Sequence, residues 1–226
     1  MSIDDVSDPG SAEAITCADF ERAYVIDRRA FHRPYYRDAQ KKIVFYDPPR
    51  RALVTGITLH QTAADMGEMV PRYDTLGAHF AVLRSGRVLW MCDVDRVVIH
   101  GHGWNARCIG IEVNGRYAGI EGDLRTLWDD PTTPHREQPQ QATPAALASL
   151  RMLVRYLKIR TPTIAVLCSH RQSSRSRQSD PGQTIWREAV HLHTELGLSD
   201  GGVGFKIGDG RPNPVEWDPR AIGHRY

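Results

Sequence analysis

Cys108-Ile109-Gly110-Ile111-Glu112-Val113-Asn114 alternates along its length, with Ile109, Ile111 and Val113 on one side of an extended chain and Gly110 and Glu112 on the other. Period-two alternation of this kind reads as a strand with one face in a core and the other left to small and polar groups. Upstream, Leu53, Ile57 and Leu59 alternate with Gly56, Thr58 and His60 in the same way. In both runs the apolar face is continuous and the opposite face is small or titratable.

Working outward, His79 to Leu83 and Val88 to Cys92 read as two strands joined by a tight turn at Ser85-Gly86, and Ile164 to His170 reads as a further strand. Thr143 is placed to cap a helix with Pro144 in its first turn, and Leu147, Leu150, Leu153, Val154 and Leu157 form a stripe at helical spacing. A second helix runs around Ile185 to Leu196, with Gly197 as its stop. The sum is one α/β domain, helices packed on a sheet, without internal repeats.

Three segments lack a clear period. Residues 1–50 read as an N-terminal extension, with a short helix near Ala18 to Arg28 and an aromatic, basic stretch from Arg29 to Tyr36. Within the domain at 51–198, a Pro-, Gln-, Asp- and Thr-rich stretch at about 116–143 reads as a surface insertion. Residues 199–226 form a Gly- and Pro-rich C-terminal tail.

Composition narrows the function classes. Against 29 Lys and Arg stand 27 Asp and Glu, a net charge of +2 spread along the 226 residues, too little for nucleic-acid binding by phosphate neutralisation. With 41% hydrophobic residues the chain has enough to build a core and is not disordered throughout. No stretch approaches the roughly 18 to 20 apolar residues of a membrane span. Met1 to Phe20 carries four Asp, one Glu and no Lys or Arg, unlike a secretory signal. Cys17, Cys92, Cys108 and Cys168 are widely spaced and form no Cys-x-x-Cys pair, as expected of reduced thiols in a protein made in the cytoplasm.

Of the ten histidines, His60 and His170 end strands and His79 opens one. Strand ends are where side chains leave the core. If the first two strands are neighbours, the loop after His170 is long enough to return Asp180 beside both, giving two imidazoles, one carboxylate and a fourth position for water, the layout of a catalytic zinc site. The plainer alternative is that both histidines end their strands on ordinary hydrogen bonds and Asp180 opens the turn at Pro181-Gly182.

Five motifs in order resemble a known family: Leu59-His60-Gln61-Thr62; Gly77-Ala78-His79-Phe80 running into Arg84-Ser85-Gly86-Arg87-Val88; His100; Asn105 followed by Cys108-Ile109-Gly110-Ile111-Glu112; and Ser169-His170 with Ser179-Asp180-Pro181-Gly182. The chain resembles, over about residues 52–197, the zinc-dependent N-acetylmuramoyl-L-alanine amidases of type 2, which are related to peptidoglycan recognition proteins. The resemblance implies a central mixed β-sheet flanked by helices. It also implies one Zn²⁺ per chain held by His60, His170 and Asp180, with Glu112 as general base and peptidoglycan or a muropeptide as substrate. His100 matches a histidine of the substrate groove, and His79 sits where the family often has an aromatic residue or histidine near the metal. Asn105 belongs to the groove or to a turn, and Trp104 is either a stacking surface for a sugar or packing.

One position departs from the family. Cytosolic members carry Lys two residues before the Asp ligand, a residue thought to stabilise the oxyanion, where this chain has Gln178. An amide donates a hydrogen bond without charge, so either Gln178 suffices, or Arg177, Arg175 or a histidine supplies the charge, or activity is reduced. Arg175 and Arg177 could equally hold an acidic peptide stem or be solvated. Cys168, two residues before His170, reads as a small buried residue, and His191 and His193 point to different helix faces and carry no assigned role.

Within this reading, muropeptide recycling, release as a lysin and signal-independent export as an antibacterial effector all remain open. The rivals are a recognition module that binds peptidoglycan without turnover, which Gln178 favours, and a structural protein with chance motifs, which would bind no stoichiometric zinc.

Overall fold

The run from Cys108 forms a central strand, and beside it lies the run that ends at His60. The computed structural model describes residues 16–33, 54–128, 139–202, 204–218 and 225–226. In chain order the elements are helix α1 (Cys17–Tyr24), strands β1 (Val25–Asp27), β2 (Gly56–Gln61), β3 (Phe80–Val82), β4 (Val88–Trp90) and β5 (Cys108–Val113), helix α2 (Pro144–Arg160), strand β6 (Val166–Ser169) and helix α3 (Gln183–Leu196). The strands form one mixed sheet in the order β1-β4-β3-β5-β2-β6, with only β3 and β4 antiparallel. Among the described residues no helix is long and apolar enough to cross a membrane.

The alternation read from the sequence divides the sheet faces. Ile57, Leu59, Ile109, Ile111, Val113 and Leu167 are buried in one cluster with Leu150, Leu153, Val154 and Leu157 of α2 and with Ile185, Trp186, Ala189 and Leu192 of α3. Fully burying side chains of this size contributes about 1.5–3 kcal/mol each. On the other face, Ala81, Leu89 and Met91 pack with Tyr73 towards one end of the sheet. Cys108 and Cys168 pack under Trp104, Phe205 and Ile207 towards the other. His60 and Glu112 lie on this second face, on the strands between the two small clusters.

The helix ends follow from local chemistry. The Thr143 hydroxyl accepts from the Ala146 N–H with Pro144 at the first helical position, and Gly197 ends α3 at φ 62°, a left-handed conformation that glycine adopts without strain. The turn at Ser85-Gly86 joins β3 to β4 as expected, with the Leu83 N–H donating to the Arg87 carbonyl at 2.8 Å.

The short helix expected near Ala18 to Arg28 is α1, and the same segment adds the edge strand β1, which pairs with β4, while Phe20 of α1 packs against Tyr156 of α2. Within the segment read as an insertion, Tyr117 is fully buried in the main core; residues 129–138 lie outside the described residues. The tail is packed too: Trp217 is completely buried against Trp186. Leu53 and the last three residues of the Arg29 to Tyr36 stretch, 34–36, also lie outside the described residues.

Candidate metal centre

Strand pairing brings the site together. In the parallel register of β2 and β6, Leu59 faces Ser169, so His60 and His170 follow side by side. In that of β2 and β5, His60 faces Glu112. After Ser169 the chain turns into a short 3-10 helix, His170–Gln172, started by a box in which the Gln172 side chain accepts from the Ser169 N–H. A second 3-10 turn, Arg175–Arg177, leads to Asp180, whose carbonyl accepts from the Arg171 N–H at 3.0 Å.

Three donor atoms converge there. His60 Nδ1 and His170 Nδ1 lie 2.9 Å apart, and Asp180 Oδ2 is 2.9 Å from His170 Nδ1 and 4.0 Å from His60 Nδ1. All three residues are buried and together could hold a metal ion. Ligand atoms about 2.0–2.2 Å from a tetrahedral zinc are about 3.3–3.5 Å from one another, and the observed edges bracket that value. Asp180 spends its other oxygen on the Gln61 N–H at 2.9 Å, which aims Oδ2 at the histidines.

The surrounding hydrogen bonds set which nitrogens are bare. His100 Nε2 lies 3.0 Å from the Cys108 carbonyl, which can only accept, so that nitrogen carries the proton. In the neutral ring His100 Nδ1 is then the acceptor for His60 Nε2–H at 3.0 Å, and His60 is left with a bare Nδ1 facing the centre. His170 Nε2 lies 3.2 Å from His102 Nδ1, which can accept its proton and free His170 Nδ1 in the same way.

Burial holds the pKa values of His60 and His170 well below the ordinary imidazole range, helped by neighbouring positive groups, so both are neutral as ligands must be. It also raises Asp180, because a buried carboxylate lacking a full counter-charge is penalised. Two neutral imidazoles and one costly carboxylate form a donor set that a divalent cation fits.

Glu112 is half-buried, with Oε2 buried and accepting no hydrogen bond from the described residues. Burial, and secondarily the Asp180 charge, push its pKa up to about 8, while the Arg177 charge pulls the other way.

Arg177 stacks over Trp128 at 4.4 Å, and its charge also lowers the pKa values of His60, His170 and Asp180, so it is a cation that reaches the whole centre. Gln178 is engaged elsewhere. Its Oε1 accepts from Arg211 at 3.2 Å, in a cavity of about 490 Å³ lined also by Arg125, Trp128, Arg175 and Asp209 and by none of the three donors.

The other expected site residues are placed as follows. His79 is fully buried, Nδ1 accepting from the Gly110 N–H and Nε2 facing the Arg96 carbonyl, each at 3.0 Å, so both ring nitrogens bond to main chain. Trp104 is only 7% exposed and packs on Phe205, in keeping with the packing alternative. Asn105 forms the turn: its Oδ1 accepts from the His100 and Gly101 N–H groups at 2.8 Å. His100 sits behind His60, in space left by Gly110, where a Cβ would fall 2.7 Å from the His100 ring. Cys168 is fully buried, and its Sγ lies 3.3 Å from the Thr58 hydroxyl.

Two contributors carry no assigned role in the sequence reading. Gln61 is buried, donates to the Ser179 carbonyl at 2.6 Å and the Tyr117 carbonyl at 3.0 Å, and so ties the Asp180 turn to β2. Exposed His102, at φ 49°, is the residue against His170; only its setting between Gly101 and Gly103 signalled an unusual backbone.

The chain belongs to the N-acetylmuramoyl-L-alanine amidase family, whose sequence model matches residues 49–183. No curated protein sequence matches it significantly. Among solved structures, the N-acetylmuramoyl-L-alanine amidase LysC from Clostridium intestinale URNW is similar at 18% identity and a TM-score of 0.50, over 77% of this chain and 98% of that one. Peptidoglycan recognition protein-LE, solved with tracheal cytotoxin, a monomeric diaminopimelic acid-type peptidoglycan, is similar at 16% identity and a TM-score of 0.50, over 79% of this chain and 97% of that one. These likenesses show the shared fold.

Proposed function

We infer that the protein is a zinc-dependent hydrolase of the amide between the lactyl group of N-acetylmuramic acid and the L-alanine of the stem peptide. The observation that carries this reading is the convergence of His60 Nδ1, His170 Nδ1 and Asp180 Oδ2 beside Glu112 in a chain of the amidase family. Zn²⁺ held by these three residues, one per chain, would supply an acidified water and a polarised substrate carbonyl.

Glu112 then acts as general base, taking a proton from the attacking water and passing it to the departing amine. Burial raises the Glu112 pKa in the metal-free site, the direction that makes a carboxylate a stronger base. His100 and His102 hold the two ligand rings in the tautomers that face the centre. Arg177 supplies the positive charge for the developing oxyanion that the family Lys would bring, and Gln178 serves the adjoining cavity wall. We read synthesis as cytoplasmic, with lysis or signal-independent export as routes to polymeric cell wall.

Digestion of purified peptidoglycan and of soluble anhydromuropeptides, with chelator and with zinc restored, tests the reading. Free stem peptides identified by mass only when zinc is present are the expected result. Zinc-loaded protein that binds these substrates without cleaving them would replace the hydrolase with a recognition module, the reading that Gln178 in place of Lys favours.

A further inference from the structure

The stretch between His170 and Asp180 contains a buried arginine whose polar side-chain contacts are main-chain carbonyls. Arg171 is 3% exposed; its Nη1 donates to the Gln178 carbonyl at 2.5 Å and its Nε to the Pro212 carbonyl at 2.8 Å. The guanidinium lies between two aromatic rings, 5.6 Å from the centre of Trp217 and 4.8 Å from that of Tyr226. Pro212, Trp217 and Tyr226 all belong to the tail, beyond the family-matching segment at 49–183.

The main chain of the same residue is used twice more. Its N–H donates to the Asp180 carbonyl at 3.0 Å, and its carbonyl accepts from the Arg211 N–H at 2.8 Å. Around it, the Ile207 N–H donates to the Gln172 carbonyl at 2.7 Å, the Ser169 hydroxyl to Asn213 Oδ1 at 2.6 Å, and the Tyr226 hydroxyl to Ser179 Oγ at 2.8 Å. Gly210 lets the two segments meet, since a Cβ there would fall 2.1 Å from the Gln172 carbonyl oxygen.

We propose that Arg171 is a positioning residue that clasps the C-terminal tail onto the loop carrying His170 and Asp180, so that the tail holds the third metal ligand in place. The physical reason is entropic. Ordering a loop costs conformational entropy, and a loop already ordered in the folded chain does not charge that cost to ligand binding. Burying a guanidinium is itself unfavourable, and burial draws the Arg171 pKa down to about 10. The carbonyl contacts and ring faces offset that penalty only while the tail is docked.

The proposal rests on the metal reading for its consequence, but its structural content can be tested without metal. Amide hydrogen exchange of the zinc-free, 226-residue chain is compared among wild type, Arg171→Met, Arg171→Lys and Gly210→Ala, followed by zinc titration against a competing chelator. Arg171→Met is expected to speed exchange at the Arg171, Arg177 and Asp180 amides at least about tenfold while β2 and β5 stay protected, and to weaken zinc affinity by a similar factor. Gly210→Ala, whose Cβ would meet the Gln172 carbonyl and push tail and loop apart while leaving the Arg171 side chain unaltered, should act in the same direction. Arg171→Lys, keeping charge without the fork, should fall between wild type and Met.

Unchanged exchange at these amides in both Arg171→Met and Gly210→Ala overturns the proposal, as does a rise shared equally by the whole sheet. If Arg171→Met does not fold, Gly210→Ala decides. Wild type that binds no zinc would refute the metal reading, while the exchange comparison would still decide the clasp.

Discussion

His60 Nε2 stands 3.0 Å from His100 Nδ1, and the far side of the His100 ring is fixed by the Cys108 carbonyl, so a main-chain group two strands from β6 decides which nitrogen His60 offers to a metal. His100→Phe keeps a ring of similar size and removes that acceptor. Partners of this kind are generally worth about 10–100-fold in metal affinity, and zinc affinity is expected to fall within that range. Wild-type affinity in a chelator competition would mean that His60 is oriented without His100.

Glu112→Gln is expected to bind zinc as wild type does and to lose at least about 10²-fold in kcat, the lower end for general acid–base catalysis. Zinc content and initial rates on a soluble muropeptide are read on the same preparation. A wild-type rate would move the base elsewhere.

The same substitution has a signature in zinc-free stability. Glu112 has its folded pKa raised from 4.5 to about 8, so between those values the native chain binds more protons than the unfolded one, and this group's contribution to stability falls as pH rises. Gln does not titrate. The stability of Glu112→Gln relative to wild type should therefore grow steadily from about pH 5 to pH 8 in denaturant titrations, and a difference that does not vary with pH would contradict the raised pKa.

Arg177 and Gln178 separate cleanly. Arg177→Ala removes the charge that reaches all four groups of the centre and is expected to lower kcat by about 10²-fold, whereas Gln178→Ala, in the neighbouring cavity, should leave kcat within about twofold. The reverse ranking in steady-state kinetics would return the oxyanion role to Gln178.

Much of this architecture is legible in the residues themselves. Alternation at Ile57, Leu59, Ile109 and Ile111, the Thr143-Pro144 cap and Gly197 locate the central strands and both long helices, because each feature acts over a few neighbouring residues. The ends of β2 and β6 likewise place His60 and His170, although their adjacency depends on a strand pairing that local pattern does not encode. Strand β1 is only three residues long, too short to show a period, and the tail's Gly and Pro content resembles a loose loop although Trp217 is buried in the core. His79 and Trp104 are residue types equally at home in a groove or in packing, and only burial separates the two. The part played by His102 depends on a left-handed backbone and a contact 68 residues away in sequence.

The most direct measurement is the metal content of the purified 226-residue chain beside that of His170→Ala, both reconstituted with zinc and freed of excess metal. One zinc per wild-type chain and none retained by the variant is the expected result. Full zinc occupancy in His170→Ala, or no zinc in wild type, would contradict the assignment of His60, His170 and Asp180 as the metal centre.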